Sequence, residues 1–353
     1  MSLFVIVFYG LLIAVSCLTA SYRRHDVFMA TFSLTLICFL IGLIGGEPWL
    51  KRIAIGIGIF LAAGGIAYSF RKFLSLLLPR DAARLIRTAP LTASFGLFVI
   101  LVYLVAAIFA PIIAPYGEAD VIAGAYAPAD EKMLLGGDQL GRDLFSRIIY
   151  GARNTVGIAL LTTGIAFFVG SLLGLMAATL GGWVDQICGR IADTLMAIPQ
   201  LIFALLLLSI LGTNVVNLIL VIALLYSPLV FRLARAVAGN IVVMDYIEAA
   251  KLRGEKTWYL IVREILPNAT APLVAEFGLR FCFVFLAISA LSFLGLGIQP
   301  PTADWGSMVR DNSTLISFSQ GTPLIPAAAI ALLTVAVNFV VDWLLHISSG
   351  LKE

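Results

Sequence analysis

Charge is scarce in this chain. Of 353 residues, 23 are Lys or Arg and 20 are Asp or Glu, only 12% of the total, whereas soluble domains average about 25%. Histidine is rarer still, with two residues, His25 and His346, each at the edge of an apolar segment and neither with a second ligand at metal spacing, so both read as interfacial residues. The four cysteines, at 17, 38, 188 and 282, form no Cys-x-x-Cys pair and read as small buried hydrophobes. No loop gathers paired carboxylates, a Ser/His set or a metal cluster, which argues against a membrane-embedded enzyme. A net charge of +3 is too small to suggest nucleic acid as a partner.

What fills the chain instead is apolar. Hydrophobic residues make up 61% of it, and the mean hydropathy is +1.04. No soluble fold of this size hides so much apolar surface, so lipid is the solvent. Nine segments reach or approach the roughly 20 residues a spanning helix needs: 2–21, 27–45, 53–70, 94–115, 155–180, 196–212, 214–237, 268–296 and 322–346. They lack the alternation of a barrel strand, so the expected fold class is an all-α integral membrane protein. The first segment has no basic residue before it, and Arg23 and Arg24 follow it, so it reads as a retained span and not a leader.

Basic loops set the orientation. Arg23 and Arg24 form one cluster, Arg71, Lys72, Arg80, Arg84 and Arg87 a second, and Arg232, Arg235, Lys251, Arg253, Lys256 and Arg263 a third. Placing all three in the cytoplasm puts the N-terminus outside and the C-terminus inside, with Lys51 and Arg52 as a mild exception. The expected organisation is an N-terminal extension over 1–75 with three spans, a basic cytoplasmic linker over 76–93, and a six-span domain over 94–353. No internal repeat stands out.

Two loops on the outer side are rich in turn chemistry. Residues 116–154 contain Gly136-Gly137-Asp138-Gln139-Leu140-Gly141-Arg142-Asp143, then Ser146-Arg147 and Tyr150-Gly151-Ala152-Arg153. The glycines imply tight backbone geometry and the Asp/Arg alternation offers self-pairing. Asp138, Arg142 and Asp143 therefore suit either a folded cap that pins helix ends or a contact with a delivery protein. The second loop runs from Gly295 to Gly306, with Pro300-Pro301 stopping the helix and Trp305 placed to anchor at the interface.

The most distinctive stretch lies inside, from Glu248 to Pro267. Glu248-Ala249-Ala250 suits a short helix: Glu248 favours the positive end of the dipole, and alanine adds propensity without bulk. Gly254 permits a sharp exit, a second amphipathic stretch carries Trp258 and Tyr259, and Pro267 suits the first turn of the next span. The expectation is two short helices along the cytoplasmic face. Gly254-Glu255-Lys256-Thr257 looks superficially like the end of a phosphate loop but lacks its Gly-Lys-Thr order and upstream glycine, so any ATP must be bound by another chain. Within the spans, the ionisable pair is Glu276 and Arg280, spaced i, i+4, which suits either mutual neutralisation or a lining for a cavity that takes a zwitterionic cargo.

Here the sequence resembles a known family. Glu248-Ala249-Ala250, Gly254 and Leu266-Pro267 resemble the EAA loop (about 240–267 here) of permease subunits in ABC importers, with Glu264 standing where the general pattern has an apolar residue, a variant similar to the dipeptide, oligopeptide and nickel branch. Leu140 to Arg153, Gly181-Gly182-Trp183-Val184-Asp185 with Arg190, Asp193 and Pro199, and Leu291 to Gly297 with Asp304-Trp305-Gly306 resemble loops of the same branch, and most of all its second, C-type permease. The likeness runs from about residue 83 to the C-terminus; residues 1–70 have no counterpart in the usual pattern. It implies a type I six-span core in a bacterial inner membrane, with about three extra spans before it. It implies a sister permease, two ATP-binding subunits that hold ATP and Mg, an extracytoplasmic binding protein, and no cofactor in this chain. It also implies that Glu248, Ala249, Ala250, Gly254, Leu266 and Pro267 carry the contact with an ATPase. The competing reading is a secondary transporter or channel without an ATPase; against it, 155–180, 196–212 and 214–230 contain no charged residue.

Overall fold

The computed structural model describes residues 48–318 and 322–348, and the expected spans 2–21 and 27–45 lie outside them. The chain divides into two units, Met1–Ser69 and Phe70–Glu353. Among the described residues the regular elements are all helices, and the loops between them add two isolated β-bridges. The elements are α1 (Pro48–Leu77), α2 (Arg80–Thr88), α3 (Leu91–Ile113), α4 (Leu144–Leu180), α5 (Gly182–Met196), α6 (Gln200–Leu211), α7 (Val215–Val242), α8 (Asp245–Leu252), α9 (Thr257–Phe293), α10 (Trp305–Asp311), a 3₁₀ turn (Ser313–Phe318) and α11 (Leu324–Ser348). The third expected segment, 53–70, falls within α1.

Five of these, α3, α4, α7, α9 and α11, are long and apolar enough to cross a membrane, and the pair α5–α6 makes a sixth only if its two halves count as one span. That pair corrects the expected straight span over 196–212. α6 has 12 residues, about 18 Å, and is bent by 86° from α5. Pro199 is the cause: it lacks an N–H and pushes the residue before it out of helical geometry.

The bundle is built on α4 against α7. Ala166, Gly170 and Gly174 recur at four-residue spacing on α4 and are buried. A Cβ at Gly174 would lie 2.7 Å from the Phe231 carbonyl oxygen and 2.8 Å from the Ala234 Cβ, so the two backbones meet almost without side chains between them. Around this seam a buried core gathers Leu208, Leu218, Ile222, Phe285, Ile288 and Leu333. α7 contains Pro228, which cannot donate to Leu224; the Ser227 hydroxyl takes up that carbonyl at 3.1 Å.

Two helices widen for one π turn each, α4 at Ala152–Val156 and α9 at Leu260–Ile265. The second overturns the expectation of a break before Pro267. α9 runs unbroken for 37 residues, with the Leu266 N–H reaching back to the Ile261 carbonyl. Pro267 has no N–H to give, and the widened turn just before it absorbs the missing bond, so the helix continues through the proline.

Candidate functional site

Helix α8 is the first candidate. Ile247 and Ala250, one turn apart, are 0% exposed, and Ile247 packs with Leu175 of α4, Ala238 of α7 and Ile261 and Ile265 of the α9 π turn. Glu248, Ala249, Lys251 and Leu252 point outward, and Leu252 is 84% exposed. Ala250, expected among the partner contacts, is buried within this chain. Leu266 and Pro267 lie on the exposed side of α9 beyond the π turn.

Gly254 ends α8. Its N–H donates to the Lys251 carbonyl at 2.9 Å and the Glu255 N–H donates to the Ala250 carbonyl at 3.2 Å, the paired bonds of a Schellman cap. The cap places Gly254 at φ +81°, a region costly for residues with a side chain. Tyr246 on α8 and Val243, Met244 and Trp258 in the flanking segments are exposed, so the protruding end is apolar as well as charged. Gly254 to Thr257 form this cap and the start of α9, not a strand-to-helix phosphate cradle.

At the same end, Asp185 of α5 pairs bidentately with Arg235 of α7. Sequence reasoning placed the two in separate motifs; only the bend at Pro199 and the turn at Gly181 and Gly182, both at positive φ, bring α5 back across α7.

The opposite end carries the glycine-rich loops, and there the polar residues turn inward. Asp138 binds Arg142 at 2.7 Å and Arg147 at 3.3 Å, and accepts the Leu140 and Arg142 backbone N–H groups. Asp143 caps α4 through the Ser146 N–H at 2.8 Å. Asp138, Arg142 and Asp143 are at most 4% exposed, so they cannot themselves touch a delivery protein. Of the two expected roles their burial fits the cap, and the accessible side chains beside them are Val121, Leu134 and Leu140.

Trp305 locks the two outer motifs together. It is 1% exposed, donates from Nε1 to the Ile148 carbonyl at 3.0 Å, and lies so close to Gly151 that a Cβ there would come within 2.5 Å of its ring. Asp304 accepts the Thr155 hydroxyl at 2.9 Å and the Ser307 N–H at 2.8 Å; burial pushes its carboxyl above the ordinary range, and these donors pull against that shift. Glu118 bridges the Asn154 side chain and the Ala303 N–H.

Within the bundle, Glu276 and Arg280 pair at 2.6 Å, and the Arg280 guanidinium sits 5.3 Å from the centre of the Phe283 ring. Tyr226 lies nearby on α7, its hydroxyl 3.4 Å from the Phe283 carbonyl. Among the described residues Cys282 is a buried free thiol and Cys188 a half-buried one.

A bundle of apolar spans, with a rigidly seated protruding helix at one end and a pinned polar cap at the other, has the build of a membrane-transport permease. Comparison with known proteins gives the family. Residues 170–349 match the family described as the binding-protein-dependent transport system inner membrane component. The chain is 35% identical over 254 residues to the dipeptide transport system permease protein DppC of Alkalihalophilus pseudofirmus, a match covering 71% of this chain and 83% of that protein. It is 34% identical to the probable D,D-dipeptide transport system permease protein DdpC of Escherichia coli, covering 73% and 87%. It is 35% identical to the glutathione transport system permease protein GsiD of Pectobacterium atrosepticum, covering 60% and 70%. The chain belongs to the family of binding-protein-dependent transport system inner membrane components.

Proposed function

We propose that this chain is the C-type permease half of an ATP-driven importer of peptides. It pairs with a sister permease to enclose the pathway, receives cargo from an extracytoplasmic binding protein, and draws energy from two ATP-binding subunits. The relatives' names, which speak of dipeptide, D,D-dipeptide and glutathione transport, support a short-peptide cargo. In this reading the α8 end faces the cytoplasm, the Trp305 cap faces the periplasm, and the N-terminus is periplasmic. The extension over 1–75 is an addition to the core.

The observation that carries the reading is the build of α8. Buried Ile247 packs it against α4, α7 and α9, and Ala250 one turn on is buried too, while Glu248, Ala249 and Leu252 remain exposed for another chain. A helix held this way passes a push from an ATP-binding subunit directly into three spans. Glu276 and Arg280 offer a zwitterionic cargo both charges, although the two already form an ion pair, so cargo binding there is an exchange of partners. The test is reconstitution of the complete importer in vesicles, with uptake of a labelled dipeptide followed with and without ATP and with a cysteine at Ala249 probed for cross-links. ATP-driven uptake and a cross-link to an ATP-binding chain are expected. Uptake that persists without those chains points to the secondary-transporter reading.

A further inference from the structure

Helix α2 is a second surface that the transport reading does not use. It is set between two prolines: Pro79 precedes it, and Pro90, with φ −62° and ψ 156°, separates it from α3. It is therefore a short rod with its own direction, not a continuation of a span. Ala83 and Ile86 are buried, and Ile86 packs with Ala89, Ala93 and Trp343, with Leu74, Leu78 and Leu344 packed around them. Arg71 donates to the Ala89 carbonyl at 3.0 Å and ties the two ends of the turn together.

The other face is basic. Arg80, Arg84 and Arg87 follow one another at four- and three-residue spacing, within an arc of about 60° at 3.6 residues per turn. All three are exposed, as is Lys72 one turn before the end of α1. Among the described residues none of these four makes an ion pair. From Arg71 to Pro90 the sequence holds five basic residues and one acidic, Asp81. Exposed apolar side chains interleave with the cations: Phe73, Leu76 and Leu77 at the end of α1, and Leu85 on α2, with Leu76 73% exposed. The segment adjoins α3 and α11, two candidate spans, so it lies at a membrane boundary.

We propose that α2 and the end of α1 bind the anionic headgroups of phospholipids, with Lys72, Arg80, Arg84 and Arg87 on the phosphates and Phe73, Leu76, Leu77 and Leu85 in the acyl boundary. Interleaved cations and apolar side chains on a helix already fixed in place match such a surface on both counts. A soluble anion would use the arginines but leave the apolar side chains in water. An acidic protein segment is the other candidate occupant.

The experiment uses the assembled importer in phosphatidylcholine vesicles containing a photo-crosslinking phosphatidylglycerol or, separately, a photo-crosslinking phosphatidylcholine. Both leaflets carry the probe and no transport is measured, so the outcome does not depend on orientation or cargo. The anionic probe is expected to label peptides from residues 72–88 at least tenfold more than the neutral one. The preference should shrink at high salt, since each cation near such a surface contributes about a fivefold factor that screening removes. Arg80→Gln/Arg84→Gln/Arg87→Gln should abolish it, and the corresponding triple lysine variant, a control for folding, should keep it. Equal labelling by the two probes, or a preference that survives the glutamine variant, overturns the proposal. So does the absence of lipid labelling when a cysteine at Arg84 cross-links to another subunit, which assigns the face to a protein.

Discussion

Replacing Gly254 separates two reasons a glycine can be needed. The cap holds Gly254 at φ +81°, where a side-chain-bearing residue costs about 1–2 kcal/mol, with the upper end for a β-branched one. Space is not the obstacle within this chain, because a Cβ at Gly254 meets nothing within 4 Å. What the strain opposes is small: the two exposed cap bonds at 2.9 and 3.2 Å contribute about 0.5–1.5 kcal/mol each. Cost and support are comparable, so Gly254→Val should unseat the end of α8 in most molecules while the spans still fold. The expected outcome is a normal amount of protein in the membrane and loss of ATP-driven peptide uptake. Gly254→Asn is the control, since asparagine tolerates left-handed geometry; it should recover much of the transport. Normal uptake by Gly254→Val would sink the coupling assignment. Equal loss in both variants would show that room for the partner, not backbone geometry, is what the glycine supplies.

Other outcomes can be checked with the same preparations. Gly174→Leu should reduce the amount of folded protein, because the side chain meets the α7 backbone where the two helices touch; overpacking of this kind costs about 1–3 kcal/mol or more, read as a lower melting temperature in detergent. Asp138→Ala should strand Arg142 and Arg147, both nearly fully buried, at a cost of about 3–5 kcal/mol, and is expected to remove the protein from the membrane fraction; a level equal to the parent's would show that the cap is not held by this network. Asp185→Asn should change thermal stability by no more than about 1 kcal/mol, since its partner Arg235 is 44% exposed, so any large loss of uptake there reports on transport and not on folding. Glu276→Ala should alter peptide preference; unchanged uptake and preference would exclude a lining role. A reporter fused to the N-terminus should localise outside the cytoplasm, and a cytoplasmic signal would overturn the proposed orientation.

How far the sequence speaks for the structure depends on the range of the interaction. Gly254 was legible as a helix stop because its cause acts within a few residues; Pro199, inside the expected span 196–212, and the Pro79 and Pro90 brackets act just as locally but went unread. The self-pairing of Asp138 and Arg142 was readable for the same reason, but not its burial, which needs Arg147 and the loop around Glu118 to close over it. The proximity of Gly151 to Trp305 spans more than 150 residues and has no local signature. Ile247 looked like any apolar residue until α4, α7 and α9 converged on it. The Gly170–Gly174 spacing, by contrast, was present as a small-residue pattern and simply went unread. Pro267 misled because a proline read in isolation marks a boundary, while a π turn before it lets the helix run on.

That continuity has a mechanical side. α9 is one rod of 37 residues, about 55 Å long, with Trp258 near one tip and Phe293 at the other. A lever of this length turns a rotation of a few degrees at the docking tip into a displacement of several ångströms near the Trp305 cap. The widened turn at Leu260–Ile265 loosens the hydrogen-bond ladder near the docking tip, ahead of the bonds missing at Pro267 and Pro272. It is the natural joint, located between the tip that would be pushed and the shaft that would swing.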